Sequence, residues 1–397
     1  MASLSVAILA HIFPARPGSG DPGFVWEQVN ALGARYRICV VAPVPWCPPV
    51  VTPRYRRGLA QLPVREDWSG TPVWRPRYPL LPRRALFGLL PAAYVVTAGR
   101  CLARVGCRSD LIHAHFAYPD GVAAAWFARR LRKPLVLTAH GSDLNEYPAH
   151  PFWRAQISWA LARASATIVA SRSLARRAIR LGACEDRVFV IPPLVDTEVF
   201  VPRDKAESRR ALGLPENLPI VLFVGRLDPV KAIPDLLRAV AILCQTMEWR
   251  LVLVGEGPER NRLYQLAKRL RIAEKVQFVG LKSRCEVSLW MNAADLLALP
   301  SVSEGFGLTL AESIACGRPV VATRCGGPED IVTPEVGRLV PCASPEALSQ
   351  AIAEVLSRLD SFDPKRLAER ARELWTPASV VIQIASVYER CAASGYG

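Results

Sequence analysis

Short apolar runs alternate with longer stretches of mixed polarity along most of the chain. Runs at residues 4–9, 110–115 and 135–138, and again at 220–224, 250–254, 294–300 and 319–323, have the length of buried strands. Between them lie stretches with the length and polarity of helices, such as 24–32 and 308–316. Strands that alternate with helices predict parallel sheets, so the expected class is α/β. A chain of 397 residues is expected to hold two such domains. The boundary is expected near residue 200, where the proline-containing segment 191–197 gives way to a polar run from 202 to 219. The expected domains are therefore 1–200 and 201–377, with a last helix at about 378–391 that is a candidate to return to the first domain.

Residues 301–330 are the most informative stretch. A strand at 294–300 is followed by Gly305 and Gly307, which let the backbone bend sharply and approach a ligand. A short helix then runs to Cys316, with Gly317 as its natural C′ residue and Pro319 as a stop. The helix start leaves the N–H groups of Gly307, Leu308 and Thr309 free above the sheet. Glu304 lies on the preceding loop, and Glu312 lies eight positions later, about a turn into the helix. Carboxylates accept hydrogen bonds from hydroxyls, and a helix start accepts an anion. A sugar nucleotide carries both kinds of group. The bland alternative is a buried β-loop-α unit with two solvated glutamates.

Upstream, the strand at 220–224 ends in Gly225-Arg226-Leu227-Asp228-Pro229-Val230-Lys231. Arg226 offers a fork of donors and Lys231 a point charge, a pair that suits a diphosphate. The strand at 250–254 ends in Gly255-Glu256-Gly257-Pro258. No third glycine follows at the dinucleotide spacing, so this segment is expected to be a strand-end loop near the nucleotide, with Glu256 as a candidate contact.

The first half repeats the arrangement. A loop containing Gly18 and Gly20 follows the first strand and precedes the helix at 24–32, the usual place for a phosphate or sugar contact in a doubly wound sheet. The strand at 110–115 ends in His113 and His115, which period-two alternation puts on one face. No cysteine or carboxylate completes a metal set beside them. His115 is either a contact at the sheet end or a hydrogen-bonded strand-end histidine. The strand at 135–138 leads to His140-Gly141-Ser142-Asp143, at the C-terminal end where open parallel sheets bind ligands. His140 is the candidate to face a ligand. Asp143 is a candidate contact or a cap for the helix that follows.

On Gly225-Arg226-Leu227 with Lys231, on Glu304 and Glu312 with Glu304-Gly305-Phe306-Gly307, and on Thr138-Ala139-His140-Gly141-Ser142-Asp143, the chain resembles the retaining group 1 (GT4-type) glycosyltransferases over nearly its whole length. The resemblance implies the GT-B architecture, two Rossmann-like domains facing a central cleft. It implies that Arg226 and Lys231, after Gly225, hold the donor diphosphate and that Glu304 holds sugar hydroxyls. It places the backbone of Phe306, Gly307, Leu308 and Thr309 along the sugar and phosphates, and Glu312 on the ribose. His140 would touch the donor sugar, with His115 and Asp143 on the acceptor side. One departure is the first loop, which reads Gly18-Ser19-Gly20 where the family often has two adjacent glycines.

The resemblance also implies retention at the anomeric carbon, with the leaving phosphate helping to deprotonate the acceptor; no protein nucleophile stands out. The chain contains no Asp-x-Asp pair, so a metal-independent reaction without a cofactor is expected. Residues 24–32, 113–116 and 138–143 are similar to bacterial enzymes that build exopolysaccharide, capsule or teichuronic-type polymers. This implies a UDP- or GDP-linked donor and a saccharide or lipid-linked acceptor. A GT-B epimerase, a phosphorylase with a pyridoxal lysine, and a non-catalytic nucleotide- or carbohydrate-binding protein are the alternatives.

Charge adds one further expectation. The chain has a net charge of +15, and residues 1–200 hold 25 of the 50 Lys and Arg but 12 of the 35 Asp and Glu. Residues 52–108 hold 11 arginines against two acids, interleaved with Trp74, Tyr78 and Phe87. The apolar stretch at 85–96 is shorter than the about 20 residues a membrane span needs. The mixture suits an anionic membrane surface, and equally a buried helix with solvated arginines. No helix-turn-helix, RRM or KH signature points to nucleic acid. Residues 1–13 lack a basic start and a cleavage-like site, and read as the first strand. The 11 cysteines include no Cys-x-x-Cys pair, which fits thiols in the cytosol or at its membrane face.

Overall fold

Why the apolar runs become parallel strands is visible in their burial. In a computed structural model, which describes residues 4–15, 23–46, 61–79, 87–243 and 248–394, the runs LIHAH, LVLTA and IVLFV are buried at every position. Strands covered on both faces have no solvent side to make polar. The chain divides into two units, Met1–Leu194 with Val380–Gly397, and Val195–Ser379. Gly18 and Gly20 lie outside the described residues, as do 52–60 and 80–86 of the basic segment.

The first unit contains β1 (Ser5–Leu9), β2 (Arg37–Val41), β3 (Val44–Trp46), β4 (Arg65–Trp68), β5 (Thr71–Trp74), β6 (Arg77–Pro79), β7 (Leu111–His115), β8 (Leu135–Ala139), β9 (Ala166–Val169) and β10 (Val188–Val190). Eight of them form one sheet in the order β10-β9-β8-β7-β1-β2-β5-β4. All neighbours are parallel except the β4–β5 hairpin. β3 and β6 pair separately. The order reverses at β1, so the loops after β1 and β7 flank a topological switch point, the usual ligand position in such sheets.

Alternation along β1 splits the core. Ala7 and Leu9 pack on the side of helices Leu90–Thr97, Val122–Leu131 and Pro151–Leu161. Val6 and Ile8 pack on the side of helices Phe24–Gly33 and Pro377–Ser394, where Ile384, Val387 and Tyr388 are buried.

The second unit contains β11 (Ile220–Val224), β12 (Arg250–Val254), β13 (Val276–Gly280), β14 (Leu296–Leu299), β15 (Val320–Thr323) and β16 (Gly337–Val340). They form one parallel sheet in the order β13-β12-β11-β14-β15-β16. Here the order reverses between β11 and β14. A buried polar knot fixes the entry to β11. The Asp295 carboxylate accepts from the Arg209 guanidinium at 2.6 Å and from the backbone N–H of Ile220 at 2.7 Å. Two α/β units with parallel sheets are the class that the sequence predicts.

Candidate functional site

In the second unit, three loops at the C-terminal ends of β11, β14 and β15 knit together. The N–H of Val302 donates to Val230 O at 2.9 Å, joining the β14 loop to the β11 loop. The N–H of Glu304 donates to Cys325 O at 3.2 Å, and the N–H of Gly327 donates to Glu304 O at 3.0 Å, joining it to the β15 loop. Glu304 is thereby held on both sides of its own Cα.

Its side chain meets Lys231 directly. Lys231 Nζ donates to Glu304 Oε1 at 2.6 Å, and Ser301 Oγ donates to the same oxygen at 2.6 Å. The lysine and glutamate side chains are 21% and 11% exposed, so each charge is largely withdrawn from water and compensated by the other. Oε2 carries no hydrogen bond among the described residues and remains an acceptor. The two residues, expected to serve the diphosphate and the sugar separately, form one ion pair at the switch point. Arg226 differs. Its side chain is 72% exposed, and its Nε lies 3.6 Å from Asp228 Oδ2, beyond hydrogen-bond range.

Helix Leu308–Ala315 begins as the sequence predicts. Its N-cap, Gly307, has φ +101°, a left-handed conformation that glycine adopts freely, and no side chain caps the first turn. Leu308 and Thr309 thus present uncapped N–H groups, a polarised anion-accepting end. Phe306 is buried, its ring centroid 6.1 Å from that of Trp375.

Glu312, on the same helix, is not the solvated carboxylate of the bland reading. It is 8% exposed, and burial pushes its pKa up to about 7, against the opposing pull of Arg284; Asp196 pushes it up further. Arg284 and Asp196 are themselves 3.8 Å apart. These two partners come from the start of helix Arg284–Ala293 and from the loop after Val195. No local motif marks either one, so sequence reasoning missed both.

The Gly-x-Gly after β12 has a different explanation from a nucleotide contact. A Cβ at Gly255 would lie 2.0 Å from Gly225 O, and one at Gly257 would lie 2.2 Å from Leu227 O. Both glycines are required because two backbones touch. Glu256 is exposed and pairs with Arg260, Nη1 to Oε1 at 3.1 Å.

In the first unit, β7 and β8 deliver three imidazoles to one place. His113 and His115 share a face, ring centroids 4.5 Å apart, as alternation requires. His113 is fully buried, its Nδ1 2.6 Å from Tyr388 Oη and its Nε2 2.7 Å from Thr138 Oγ1. His115 is also fully buried, with Nδ1 3.1 Å from His140 Nε2. The His140 ring is half-buried, nearly coplanar with His115 at 14° and flanked by Phe24 and Phe116 with centroids at 4.9 and 4.7 Å. Burial, reinforced by the neighbouring imidazoles, pushes the His115 and His140 pKa values well below the usual histidine range. All three rings are therefore neutral at pH 7.

Two of the candidate residues are buried here, Asp143 and His115. Asp143 is fully buried, and its carboxylate accepts from the N–H groups of Ala117 (2.7 Å), Gly141 (2.9 Å) and His140 (3.2 Å). It is a brace between the loops after β7 and β8, rather than a cap on the following helix. His115 is likewise 0% exposed, with its ring against His140. A second brace lies at the switch point, where the Asp120 carboxylate binds both the N–H and the Nδ1 of His11. Neither His11 nor Asp120 was singled out from the sequence.

Known proteins resemble this chain in sequence and fold. Residues 24–199 match the family described as "Glycosyltransferase Family 4", and residues 204–374 match "Glycosyl transferases group 1". The chain is 35% identical over 352 residues to the D-inositol 3-phosphate glycosyltransferase of Mycobacterium marinum, covering 81% of this chain and 71% of that protein. It is 29% identical over 268 residues to the N-acetyl-alpha-D-glucosaminyl L-malate synthase of Bacillus anthracis, covering 66% and 69%. Among solved structures, the sucrose-phosphate synthase of Thermosynechococcus elongatus superposes with a TM-score of 0.82 at 26% identity, covering 99% of this chain and all of that one. The Anabaena protein HepE in complex with UDP and glucose superposes with a TM-score of 0.75 at 22% identity, covering 98% and 100%. The chain belongs to the group 1 glycosyltransferase family, enzymes of the GT-B fold.

Proposed function

We propose that this glycosyltransferase moves a sugar from a nucleoside diphosphate sugar to a saccharide or lipid-linked acceptor in cell-surface polysaccharide assembly, with retention and without a metal ion. The observation that carries the reading is the Lys231–Glu304 pair at the β11/β14 switch point, beside the uncapped start of helix Leu308–Ala315. Lys231 and the exposed Arg226 supply positive charge for a diphosphate, and the free Oε2 of Glu304 supplies an acceptor for a sugar hydroxyl. Glu312 serves the ribose. His140, half-exposed between two phenylalanines, serves the transferred sugar.

In the reaction, the bond from the anomeric carbon to the diphosphate oxygen breaks and a bond to the acceptor oxygen forms on the same face. The acceptor proton passes to the departing phosphate. Lys231, Arg226 and the N–H groups of Leu308 and Thr309 stabilise the charge that develops on the leaving group.

A feature of the first unit supports an acceptor bearing phosphate. A groove of about 470 Å³ is lined by Leu144, Asn145, Arg154, Arg177 and Arg180 among others, and by no carboxylate. Arg177 donates to Asn145 Oδ1 at 2.7 Å and Arg154 to Pro148 O at 2.8 Å, so both guanidiniums are oriented by neutral groups. Such a groove suits a phosphate on a sugar or on a lipid carrier. Exposed Leu89, Val96, Trp126 and Phe152 on the same unit, with its excess of arginine, support contact with an anionic membrane surface on the cytoplasmic side. No helix among the described residues is long and apolar enough to cross a membrane.

The test is turnover of purified protein with UDP- and GDP-sugars and phosphorylated or lipid-linked acceptors, with and without EDTA. A glycoside that keeps the donor's anomeric configuration and forms in EDTA supports the proposal. Inverted product, or loss of activity restored by Mg2+, overturns the stereochemical or the metal-free part respectively. Conversion of donor without acceptor would favour the epimerase reading.

A further inference from the structure

We infer that His115 is a positioning residue that fixes His140 as the neutral tautomer protonated on Nδ1, so that His140 meets its ligand as a hydrogen-bond donor and not as a base. The inference rests on the reading of His140 as a ligand contact, and its core can be tested without it.

His115 carries an orphaned atom. The residue is fully buried, and its Nε2 has no hydrogen-bond partner among the described residues. A buried N–H left unpaired costs more than a bare nitrogen lone pair, and orphaned buried donors are rare. The His115 proton therefore belongs on Nδ1. That atom lies 3.1 Å from His140 Nε2, so His115 donates and His140 Nε2 accepts. A neutral imidazole that accepts on Nε2 carries its own proton on Nδ1. Nδ1 of His140 has no protein partner among the described residues, and the residue is only partly buried, so this N–H is the group left to a ligand.

The surroundings hold the assignment in place. The rings of His115 and His140 are nearly coplanar, 14° apart with centroids at 5.3 Å, as an in-plane N–H···N bond requires, and Phe24 and Phe116 confine His140. The Asp143 carboxylate binds the backbone N–H of His140, and the Asp120 carboxylate engages His11, so neither appears among the contacts of the His140 ring. His113 is occupied by Tyr388 and Thr138. Among the described residues, the only ring nitrogen that hydrogen-bonds the His140 ring is Nδ1 of His115. A sugar ring offers hydroxyl and ether oxygens as acceptors for the N–H that results.

The experiment is 15N–1H correlation spectroscopy on the full chain with 15N-labelled histidine, with the His140 signals assigned by their loss in His140→Gln. The expected wild-type pattern is a protonated Nδ1 and an unprotonated Nε2 for His140. In His115→Phe, which removes the donor but keeps a ring, the pattern is expected to become a mixture of tautomers. His115→Asn, whose amide can place an N–H near the lost Nδ1, is expected to restore it. Kinetically, His115→Phe should raise the donor KM about tenfold, the scale of one hydrogen bond, with less change in kcat, and His115→Asn should recover most of the loss. A wild-type His140 protonated on Nε2, or a His140 pattern unchanged in a folded His115→Phe, overturns the inference. If the tautomer pattern is as stated but saturating UDP-sugar leaves the His140 signals and the kinetics of both variants unmoved, the positioning claim stands and the ligand role of His140 is what fails.

Discussion

Lys231 Nζ lies 2.6 Å from Glu304 Oε1, and among the described residues neither side chain has another charged partner as close. The pair joins a residue proposed for the diphosphate to one proposed for the sugar. Removing one member leaves the other poorly solvated and uncompensated. Lys231→Ala is expected to lower stability by about 1–3 kcal/mol, between the values for surface and buried pairs. It should also lower kcat by at least about a hundredfold if Lys231 stabilises the leaving group. Adding Glu304→Gln should recover most of the stability and none of the activity. Thermal denaturation and kinetics on the two single variants and the double variant separate these effects. Equal stability of the single Lys231→Ala variant and wild type would show that the pair carries no structural load.

Arg226 provides the contrast. Its side chain is 72% exposed, with its nearest carboxylate oxygen at 3.6 Å, so the fold gains little from it. Arg226→Ala is expected to leave the melting temperature within about a degree or two, as exposed substitutions do, while turnover falls by about a hundredfold or more. Wild-type turnover in the variant would remove Arg226 from the donor site.

Glu312 makes a pH-dependent case. Its folded pKa is raised from 4.5 to about 7, first by burial. Between these two values the unfolded chain has released this proton and the folded one still holds it, so the contribution of Glu312 to stability falls as pH rises from about 4.5 to about 7. Glu312→Gln should therefore gain stability relative to wild type as pH rises through that window, by denaturant melts at pH 5 and pH 8. Donor binding runs the other way. A carboxylate accepts from ribose hydroxyls better than a carboxyl group, so donor affinity should weaken as pH falls below about 7, and Glu312→Gln should flatten the profile. Calorimetric titration with UDP-sugar across pH checks both the slope and its loss.

What the sequence revealed and what it hid follow from range. β11, β14 and the helix at Leu308–Ala315 were legible because buried parallel strands are continuous apolar runs and because Gly307 and Gly317 mark the helix ends. β4 and β5, with sequences REDW and TPVW, were not, since an edge hairpin has no apolar run to betray it. The Glu304–Glu312 spacing was legible, but the Asp196–Arg284 pair that tunes Glu312 arrives from a distant loop and the start of another helix. The partner of His113 is Tyr388, 275 residues away. The glycines at 255 and 257 were visible, yet their cause is the backbone of Gly225 and Leu227, which no periodicity encodes. Local pattern specified the elements, and tertiary approach specified the partners.

Asp143 yields the last expectation. Its buried carboxylate is the shared acceptor for three backbone N–H groups on two loops, those of Ala117, Gly141 and His140. Burial pushes its pKa up, while those three bonds pull it back down. Asp143→Ala leaves three buried donors without an acceptor, and a loss of about 3 kcal/mol or more is expected from hydrogen bonds to a charged group. Asp143→Asn is the sharper variant. Its amide keeps one acceptor oxygen and turns the other position into a donor facing an N–H. Either the Ala117 bond or the bonds to Gly141 and His140 must then fail. Since the second pair holds the His140 loop, the variant is expected to keep the Gly141 and His140 bonds and release Ala117. Amide hydrogen exchange should then quicken at Ala117 and stay slow at Gly141. Slow exchange at all three positions in Asp143→Asn would mean that the loops hold each other without this brace.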